Sequence, residues 1–470
     1  MSKPLTEEAL SARRRREERE LKRRRKEHDR PKTAGYIWYL LIVLSVVYIV
    51  DEIASNIGSS LQSEVVSEFF VRGKGMDFNT GLATFTAMST PLYCLMLVNP
   101  FYKSLADRYG RKLFLVLNTI GMGIGMGICM SATGPVTYLL GMAVLNLVIF
   151  NDMQVIYIME CAPEKHRAKI TLLSKAVALL GVTLIPILRD TFMGSDGSQW
   201  HKVFMIPAIL ALVVGIAAIF LMRETPVFTA KRISYLEMTD AQRAAMAQAE
   251  KDAANDGKGG VIRALKFIFS HKQIRAVTIC GIVFMSATGV TNYYESIMKT
   301  GGMDTSEVTS AMYFIPFFNA LMTGISGFIT DSLGRKKSAV LLSGTAFLSL
   351  ISFVLCAGNG ASPVLVGISY GLFIGCLWSV ADMLCLIISG ESTPTHLRAS
   401  VLGTMSLISG IGTAASSIAI MIGMLFVDSI GTLSLIISAP FMLIAIVILI
   451  TQVHETKDVD LATVTGAEWD

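Results

Sequence analysis

Apolar segments of about 20 residues or more alternate with short polar intervals along most of the 470-residue chain. Since about 20 helical residues cover the roughly 30 Å hydrocarbon core of a bilayer, each segment predicts a transmembrane helix. The segments lie at about 36–60, 80–102, 112–132, 135–161, 169–193, 203–222, 275–298, 308–330, 337–357, 362–389, 400–426 and 430–452. The pattern therefore predicts an all-α integral membrane protein with twelve transmembrane helices in two six-helix bundles.

A hydrophilic interval separates the first six segments from the last six. The predicted parts are a basic tail at 1–35, an N-terminal six-helix bundle at 36–222, a linker at 223–274, a C-terminal six-helix bundle at 275–452 and a tail at 453–470. The linker mixes charges with helix-forming residues and has a Gly-rich break at Gly257, Gly259 and Gly260. This composition indicates a linker of short helices rather than a further domain.

Composition and charge agree with a membrane protein and predict its orientation. Charged residues make up 16% of the chain, whereas soluble domains contain about 25%. The segment 1–32 is dominated by Lys and Arg, and the loops at 107–112, 163–169 and 331–337 are also basic. By the positive-inside rule, both termini are predicted to be cytoplasmic, in the plasma membrane. Anionic lipid headgroups are the favoured partner of the tail over nucleic acid, because no nucleic-acid-binding fold accompanies it.

Three short motifs occur twice, in the same order, in the two halves. The loop after the second span reads Asp-Arg-Tyr-Gly-Arg-Lys from 107 to 112, and the loop after the eighth reads Asp-Ser-Leu-Gly-Arg-Lys from 331 to 336. Glu160-x2-Pro163-x3-Arg167 is matched by Glu391-x2-Pro394-x3-Arg398, and Glu224-Thr225 is matched by Glu455-Thr456, at the same separation along the chain. Motifs repeated at nearly constant separation indicate a duplicated unit.

These motifs resemble the major facilitator superfamily over nearly the whole chain. The Asp-x2-Gly-Arg-Lys loops are the hallmark of that superfamily, and the Glu-x2-Pro-x3-Arg ends look like its sugar-porter and organic-ion branches. The resemblance implies the major facilitator fold, with two bundles around a central cavity that work by alternating access. The chain departs from the pattern at Lys103, where the family has Gly. Met285 and Ser286 also replace the paired Gln that holds sugar hydroxyls, which argues against a hexose substrate.

The repeated acids, glycines and cations predict a gate at the cytoplasmic ends of the spans. Gly permits the tight turn, and the cations can pair with the acids. Pairs made only in the outward-facing state would favour that state by about 1–3 kcal/mol. The alternative is positive-inside anchoring alone, which explains the cations but not the acid-Gly spacing. The predicted gate residues are Asp107, Gly110, Arg111, Lys112, Glu160, Arg167, Glu224, Asp331, Gly334, Arg335, Lys336, Glu391, Arg398 and Glu455.

Charged side chains within the spans are costly in hydrocarbon and usually face a cavity or a partner. Asp51 lies about 15 residues, hence roughly 22 Å, into the first span, and it is the predicted proton-coupling carboxylate. The resemblance to sugar-porter-like symporters supports this role, and a hydrogen-bonded packing acid is the alternative. Arg189 could pair with Asp51 or bind an anionic substrate. Asp152 and Lys175 lie at similar depth, so a structural ion pair is the alternative to a role in binding.

The seventh span contains polar and aromatic residues that predict part of a substrate cavity. From Gly289 to Tyr294 it reads Gly-Val-Thr-Asn-Tyr-Tyr, similar to the corresponding stretch of sugar porters. For any one aromatic residue, ordinary core packing is the alternative. The predicted cavity residues are Asp152, Arg189, Asn292, Tyr293, Tyr294, Glu295, Trp378 and Asp382.

The sequence predicts a monomeric secondary active transporter of a small polar organic metabolite, specifically an organic ion, coupled to protons. An uncoupled uniporter of a sugar-like solute is the first alternative. A transporter-like sensor is another, but sensors normally carry a large cytoplasmic module. An enzyme is disfavoured because the sequence has no nucleophile-base or metal-ligand pattern, and the absence of a Walker A loop argues against direct ATP drive. We therefore predict no cofactor, no metal and no nucleic-acid partner.

Overall fold

The computed structural model describes residues 7–29, 34–98, 102, 105–106, 108–149, 153–162, 167–194, 196–457, 459 and 464–469. The regular elements in these residues are helical, as the apolar pattern predicts. Ten helices in the described ranges are long and apolar enough to cross a membrane. The second and fifth predicted spans are also present, but each is divided into two shorter helical pieces. Within the described residues the fold is therefore all-α, and helical segments are present at each of the twelve predicted spans.

The first half contains a tail helix and the first six spans. Its helices are α1 (Glu7–His28), α2 (Ala34–Ile57), α3 (Gln62–Val66), α4 (Phe78–Ser89), α5 (Arg111–Met130), α6 (Pro135–Ile149), α7 (Met153–Cys161), α8 (Arg167–Gly181), α9 (Leu184–Phe192) and α10 (Met205–Leu221). The first span is α2, the third is α5 and the sixth is α10. Helices α6 and α7 together make the fourth span, and α8 and α9 make the fifth. The second span is α4 followed by a 3-10 helix at Thr90–Val98.

The second half follows two linker helices, and the longer one continues through Gly257, Gly259 and Gly260, so the predicted break there is wrong. The helices are α11 (Pro226–Glu237) and α12 (Asp240–Ser270) in the linker, then α13 (Lys272–Met285), α14 (Tyr294–Thr300), α15 (Thr305–Met312), α16 (Phe314–Leu333), α17 (Arg335–Gly358), α18 (Pro363–Asp382), α19 (Thr395–Gly423) and α20 (Ile430–Thr451). The seventh span is α13, a 3-10 turn at Thr288–Asn292 and α14. The eighth is α15 with α16, and the last four are α17 to α20 in order.

Proline explains where the two divided spans break. A proline ring lacks an N–H and collides with the carbonyl four residues earlier, so the helix is interrupted there. Pro186 lies in α9, and the turn that separates α8 from α9 is at Val182 and Thr183. In the second span, Pro91 is the second residue of the 3-10 helix that follows α4. Neither span therefore forms one continuous helix.

The helix bundle has two ends, and the two halves pack against each other at one of them. We call the end with the loops at Gly110 and Gly334 the motif end, and the end with α3 and α14 the opposite end. The largest cluster of buried apolar side chains includes Leu61 of the first half and Met298 of the second. The two halves therefore share a packed core at the opposite end.

The tail helix α1 packs on the linker helix α11 through ion pairs. The guanidinium of Arg232 donates to both carboxylate oxygens of Glu20, at 3.0 and 3.1 Å. These bonds lower the pKa of Glu20. Arg25 donates to Glu237 at 2.7 Å, and the backbone N–H of Glu224 donates to Glu27 at 3.1 Å. The tail thus contacts the linker through two of its acids and through Arg25.

The basic residues of α1 mostly lie on its other faces. Exposed cations on this helix are Arg15, Arg16, Arg19, Lys22, Arg23, Arg25 and Lys26. A helix with its acids turned toward the protein and its cations toward the surroundings is suited to contact with anionic headgroups. Binding of the tail to lipid nevertheless stays a prediction.

Candidate functional site

Each motif loop at the motif end is closed by a glutamate that caps the following span. Glu224 Oε1 accepts the backbone N–H groups of Arg111 and Lys112 at 3.0 and 3.1 Å. A carboxylate at a helix N-terminus satisfies free N–H groups and interacts favourably with the helix dipole. Burial raises the pKa of Glu224, while these N–H bonds act in the other direction. The first motif therefore fixes the start of the third span.

The second motif repeats this geometry at the start of the ninth span. The two oxygens of Glu455 accept the backbone N–H groups of Arg335 and Lys336 at 2.7 and 3.1 Å. The ammonium group of Lys336 donates to the carbonyl of Ile450, 2.9 Å away, near the end of the twelfth span. In the first half, Lys112 Nζ donates in the same way to a carbonyl in the last turn of the sixth span, at 2.7 Å. The repeat seen in sequence is thus a repeat in contacts.

An arginine-glutamate pair adds to each cap. Arg111 Nε donates to Glu160 at 3.1 Å, and Arg335 Nη2 lies 3.0 Å from Glu391. Each pair joins spans of the same half, so it can persist whichever end of the bundle is closed. Our expectation that these pairs form only in the outward-facing state has no support in this geometry.

The other predicted gate residues differ in their surroundings. Asp331 is exposed and lies 3.8 Å from the Arg335 side chain. Arg398 donates to the carbonyl of Thr393, just before its own helix α19, at 3.2 and 3.3 Å. Arg167 is the first residue of α8. Asp107 lies outside the described residues, as does the departure at Lys103.

Replacement of Gly334 by alanine is expected to destabilise the protein by about 2–3 kcal/mol. Gly334 has φ +90°, and an added Cβ would lie 2.6 Å from Glu455 Oε2. The change therefore strains the backbone and displaces the cap. Thermal unfolding of the purified protein would measure the loss. The matched control is Gly127→Ala, in the third span, where an added Cβ meets no atom within 4 Å. Unfolding of Gly334→Ala at the wild-type temperature would contradict the prediction.

The proposed proton-coupling residue, Asp51, is buried within the first half. Its Oδ2 accepts a hydrogen bond from Gln154 Nε2 of α7 at 2.8 Å. Only 4% of Asp51 is exposed. The carboxyl group therefore sits between the first and fourth spans, where a hydrogen-bond partner orients it.

At the opposite end, the short helices that follow the first span contact the short helix α14 of the seventh span and join the two halves. The hydroxyls of Ser60 and Tyr294 lie 2.7 Å apart, and those of Ser63 and Ser296 lie 3.2 Å apart. The ring of Tyr294 stacks on that of Tyr370, with centroids 4.6 Å apart. These contacts close the seam between the halves at this end.

A buried cluster of charged side chains lies beneath this seam. Arg189 is fully buried and its Nη2 lies 3.1 Å from Glu64 Oε1. Glu295 of α14 is also fully buried, with Oε1 3.9 Å from the same Nη2. Lys299 Nζ lies 3.6 Å from Glu64. The suggested pairing of Arg189 with Asp51 is therefore wrong, because Glu64 binds its guanidinium.

A cavity at the opposite end extends to the edge of this cluster. This cavity has a volume of about 520 Å³ and opens between the two halves. Its walls include Ser63, Glu64 and Lys299, together with the loop residues Asp77 and Asp196. Glu64 and Lys299 thus belong both to the cluster and to the wall of this cavity.

Two predicted cavity residues, Trp378 and Asp382, lie on one face of α18. They are four residues apart, so they are neighbours on the helix surface. The exposed fractions are 42% for Trp378 and 49% for the Asp382 side chain. Lys175 of the fifth span lies 3.4 Å from Asp382 Oδ2. This ion pair crosses the seam between the halves within apolar spans. Asp152, the other partner suggested for Lys175, lies outside the described residues.

The remaining predicted cavity residues pack against the eleventh span. Asn292 Nδ2 donates to the hydroxyl of Ser417 at 3.2 Å. Tyr293 is fully buried, and its hydroxyl lies 3.3 Å from the Ser417 carbonyl and 3.4 Å from Thr86 Oγ1 of the second span. Tyr293 therefore contributes to the contact between the halves.

Sequence reasoning missed the acid that binds Arg189. Glu64 lies just beyond the predicted end of the first span, so its burial was not expected. A signal was present, however: the separation of Glu64 from Glu295 equals that of Glu160 from Glu391 and of Glu224 from Glu455.

Comparison with known proteins identifies a family. A sequence model of the Major Facilitator Superfamily matches residues 34–417. Among curated proteins, the Glucose transporter GlcP of Staphylococcus epidermidis is 21% identical over 339 residues, which is 67% of this chain and 73% of that protein. The D-xylose transporter of Levilactobacillus brevis is 25% identical over 316 residues, 62% of this chain and 67% of that one.

A further relative is named for solutes other than sugars. The glycine betaine/proline/ectoine/pipecolic acid transporter of Dickeya dadantii is 25% identical over 359 residues, 70% of this chain and 66% of that protein. Among solved structures, a D-xylose-proton symporter superposes with a TM-score of 0.66 at 15% identity, covering 90% of this chain and 99% of the symporter. At that identity the structural likeness shows the fold alone.

Proposed function

This chain belongs to the major facilitator superfamily, and on that premise we propose that it transports a small organic ion across the cytoplasmic membrane by alternating access, coupled to protons. It is a multi-pass membrane protein, and its named relatives are transporters rather than enzymes.

The observation that carries the substrate class is the ion pair between Lys175 and Asp382. A charged pair within apolar spans is costly unless it faces water or a polar ligand. Both side chains are partly exposed, at 31% and 49%, and they come from different halves. A solute with charged groups could replace the partner of either side chain as the halves move. This supports an organic ion or a zwitterion over a neutral solute.

We also propose that the motif end and both termini face the cytoplasm. The basic tail and the basic loops at 107–112 and 331–337 support this orientation. With this orientation, the contacts between Ser60 and Tyr294 close the outer end. The two glutamate caps then stabilise the cytoplasmic ends of the third and ninth spans during the movement.

We propose proton coupling at Asp51, in a transporter that works as a monomer. A buried carboxyl that alternates between neutral and ionised forms can link proton movement to conformational change. The hydrogen bond from Gln154 supports this role, since an amide donor can stay bonded to the carboxyl group in both forms and so keeps it oriented.

Uniport of a sugar-like solute is the second candidate. It is favoured by the names of two relatives, which are glucose and D-xylose transporters. A uniporter equilibrates its solute across the membrane but cannot accumulate it. Accumulation driven by a pH gradient therefore separates the two candidates. A membrane sensor, the third candidate, would bind a solute without exchanging it.

Counterflow in proteoliposomes tests the proposal. Vesicles with the purified protein would be loaded separately with D-xylose, D-glucose, L-proline or glycine betaine and diluted into the same labelled solute. Uptake of label into vesicles preloaded with proline or betaine, but not into protein-free vesicles, is the expected result. Exchange of sugars alone would support the uniporter. Binding of a solute by thermal shift without exchange would support the sensor.

A further inference from the structure

Two carboxylates occupy equivalent positions in the two halves at the opposite end. Glu64 in α3 and Glu295 in α14 have the same separation along the chain as the motif acids Glu160 and Glu391. Both are buried, with 4% and 0% of the residue exposed. The duplicated fold therefore brings one acid from each half to the seam between the halves.

Among the described residues, a single arginine serves these two acids. Arg189 donates to Glu64 with Nη2 at 3.1 Å and with Nη1 at 3.4 Å. It also donates to the Ser60 carbonyl and to Thr309. At the separation that relates Glu64 to Glu295, the position equivalent to Arg189 holds Ile420, so the second half supplies no equivalent cation. The guanidinium is thus engaged mainly by Glu64.

Glu295 has fewer hydrogen bonds than Glu64, and its nearest cation is farther away. Its Oε2 accepts the backbone N–H of Ser63 at 2.8 Å. Its Oε1 is buried and has no hydrogen-bond partner among the described residues. The nearest cation, Arg189, is 3.9 Å from that oxygen. An ionised carboxylate with so little compensation is costly in a buried site, whereas a neutral carboxyl group costs much less.

The other titratable groups around Glu295 are directed elsewhere. Lys299 on the same helix lies 3.6 Å from Glu64 and donates to Thr305. The hydroxyl of Tyr294 pairs with Ser60. On α15, Glu307 caps its own helix with Asp304. Helix α20 has no charged residue, and the charges of α17 are at the motif end. Compensation of a charge on Glu295 therefore depends mainly on Arg189, which Glu64 already engages.

We propose that Glu295 is a proton-binding residue that takes up one proton from outer water as the outer end closes. The proton comes from hydronium and forms an O–H bond at Oε1, which leaves water and a neutral carboxyl group. When the outer end opens, the bond from Ser63 is broken, water solvates the group and the proton returns to the outer solution. The proposal rests on the proposed function only for the orientation of the bundle.

The sign of the pH effect follows from this exchange. The closed state holds one proton more than the open state, so acid favours closing and alkali favours opening. For one proton, the closing equilibrium changes by at most about tenfold for each pH unit. The Ser63 amide reports the closing directly, because it donates to Glu295.

Hydrogen exchange in nanodiscs tests the proposal on the full chain without any solute. Protection of backbone amides in residues 62–66 is divided by protection in the third span. The intrinsic exchange rate changes with pH in the same way for both segments, so it cancels in this ratio. Between about pH 5.5 and about pH 8, we expect this ratio to fall in the wild type by as much as about tenfold per unit. Glu295→Gln, a neutral mimic, is expected to stay protected at every pH. Asp428→Asn, an exposed acid at the same end, is the matched control and should behave like the wild type.

Two results would overturn the proposal: a wild-type ratio that does not change with pH, or the wild-type slope retained in Glu295→Gln. If that variant does not fold, Glu295→Ala removes the carboxyl group without adding an amide and should also lose the slope. Counterflow separates this proposal from the assignment as a transporter. If the protein transports a solute but shows no pH response, only the proposed proton site is wrong. If it shows the pH response but does not transport, only the transporter assignment is wrong.

Discussion

Replacement of Arg189 by methionine is expected to destabilise the protein by about 3–5 kcal/mol, the usual cost of removing one partner of a buried ion pair. Arg189 binds Glu64 at 3.1 Å and also donates to Thr309 of the second half. The change leaves Glu64 buried with only Lys299 nearby, 3.6 Å away. Thermal unfolding of the purified protein in detergent would show a large fall in the midpoint.

The exposed arginine at the same end is the matched control. Arg72 lines the cavity at the opposite end, and Arg72→Met should change the free energy of unfolding by less than about 0.5 kcal/mol. If Arg189→Met unfolds at the same temperature as the wild type, the Glu64–Arg189 pair contributes nothing to the free energy of unfolding.

A double variant extends the test to the second acid. In Arg189→Met with Glu64→Met, both charges of the tight pair are replaced by apolar groups, a change that is often neutral or stabilising. Recovery toward wild-type stability is expected if Glu295 is neutral in the closed state. A double variant as unstable as Arg189→Met would mean that Glu295 is ionised and depends on Arg189.

The fold could be predicted because its signals are local. Apolar segments of span length, repeated motifs and basic loops need no knowledge of long-range contacts. The break in the fifth span is less evident, since Pro186 could equally bend a continuous helix. The proline alone does not decide between a bend and the observed break at Val182 and Thr183.

The site could be predicted only where partners belong to the repeated motifs. The pairing of Arg335 with Glu391 lies within one half and follows from motif spacing. The pair between Lys175 and Asp382 joins different halves and lies outside the repeated motifs. No local pattern encodes such a pair. Glu64 could have been found by applying the separation between the repeated motifs to every acid near a span.

Replacement of Asp51 by asparagine is expected to abolish accumulation driven by a pH gradient and to leave counterflow intact. When one proton moves with each solute and there is no membrane potential, a gradient of one pH unit supplies a driving free energy of about 1.4 kcal/mol per solute. The wild type should therefore accumulate its solute by at most about tenfold, whereas Asp51→Asn should only equilibrate the solute across the membrane. Uptake into proteoliposomes of the panel solute that exchanges in counterflow measures both values.

The substitution separates charge from structure because asparagine has nearly the same shape. Its side-chain oxygen can still accept the hydrogen bond that Gln154 donates to Asp51 at 2.8 Å, so the contact between the first and fourth spans is kept. What is lost is the ability to bind and release a proton. Glu52→Gln neutralises the adjacent acid and is the matched control, expected to accumulate solute like the wild type. Since solute exchange needs no net proton movement, a true coupling residue must lose accumulation while keeping exchange. Loss of both activities would instead identify Asp51 as a structural or substrate-binding acid, and wild-type accumulation would assign proton coupling to another carboxylate.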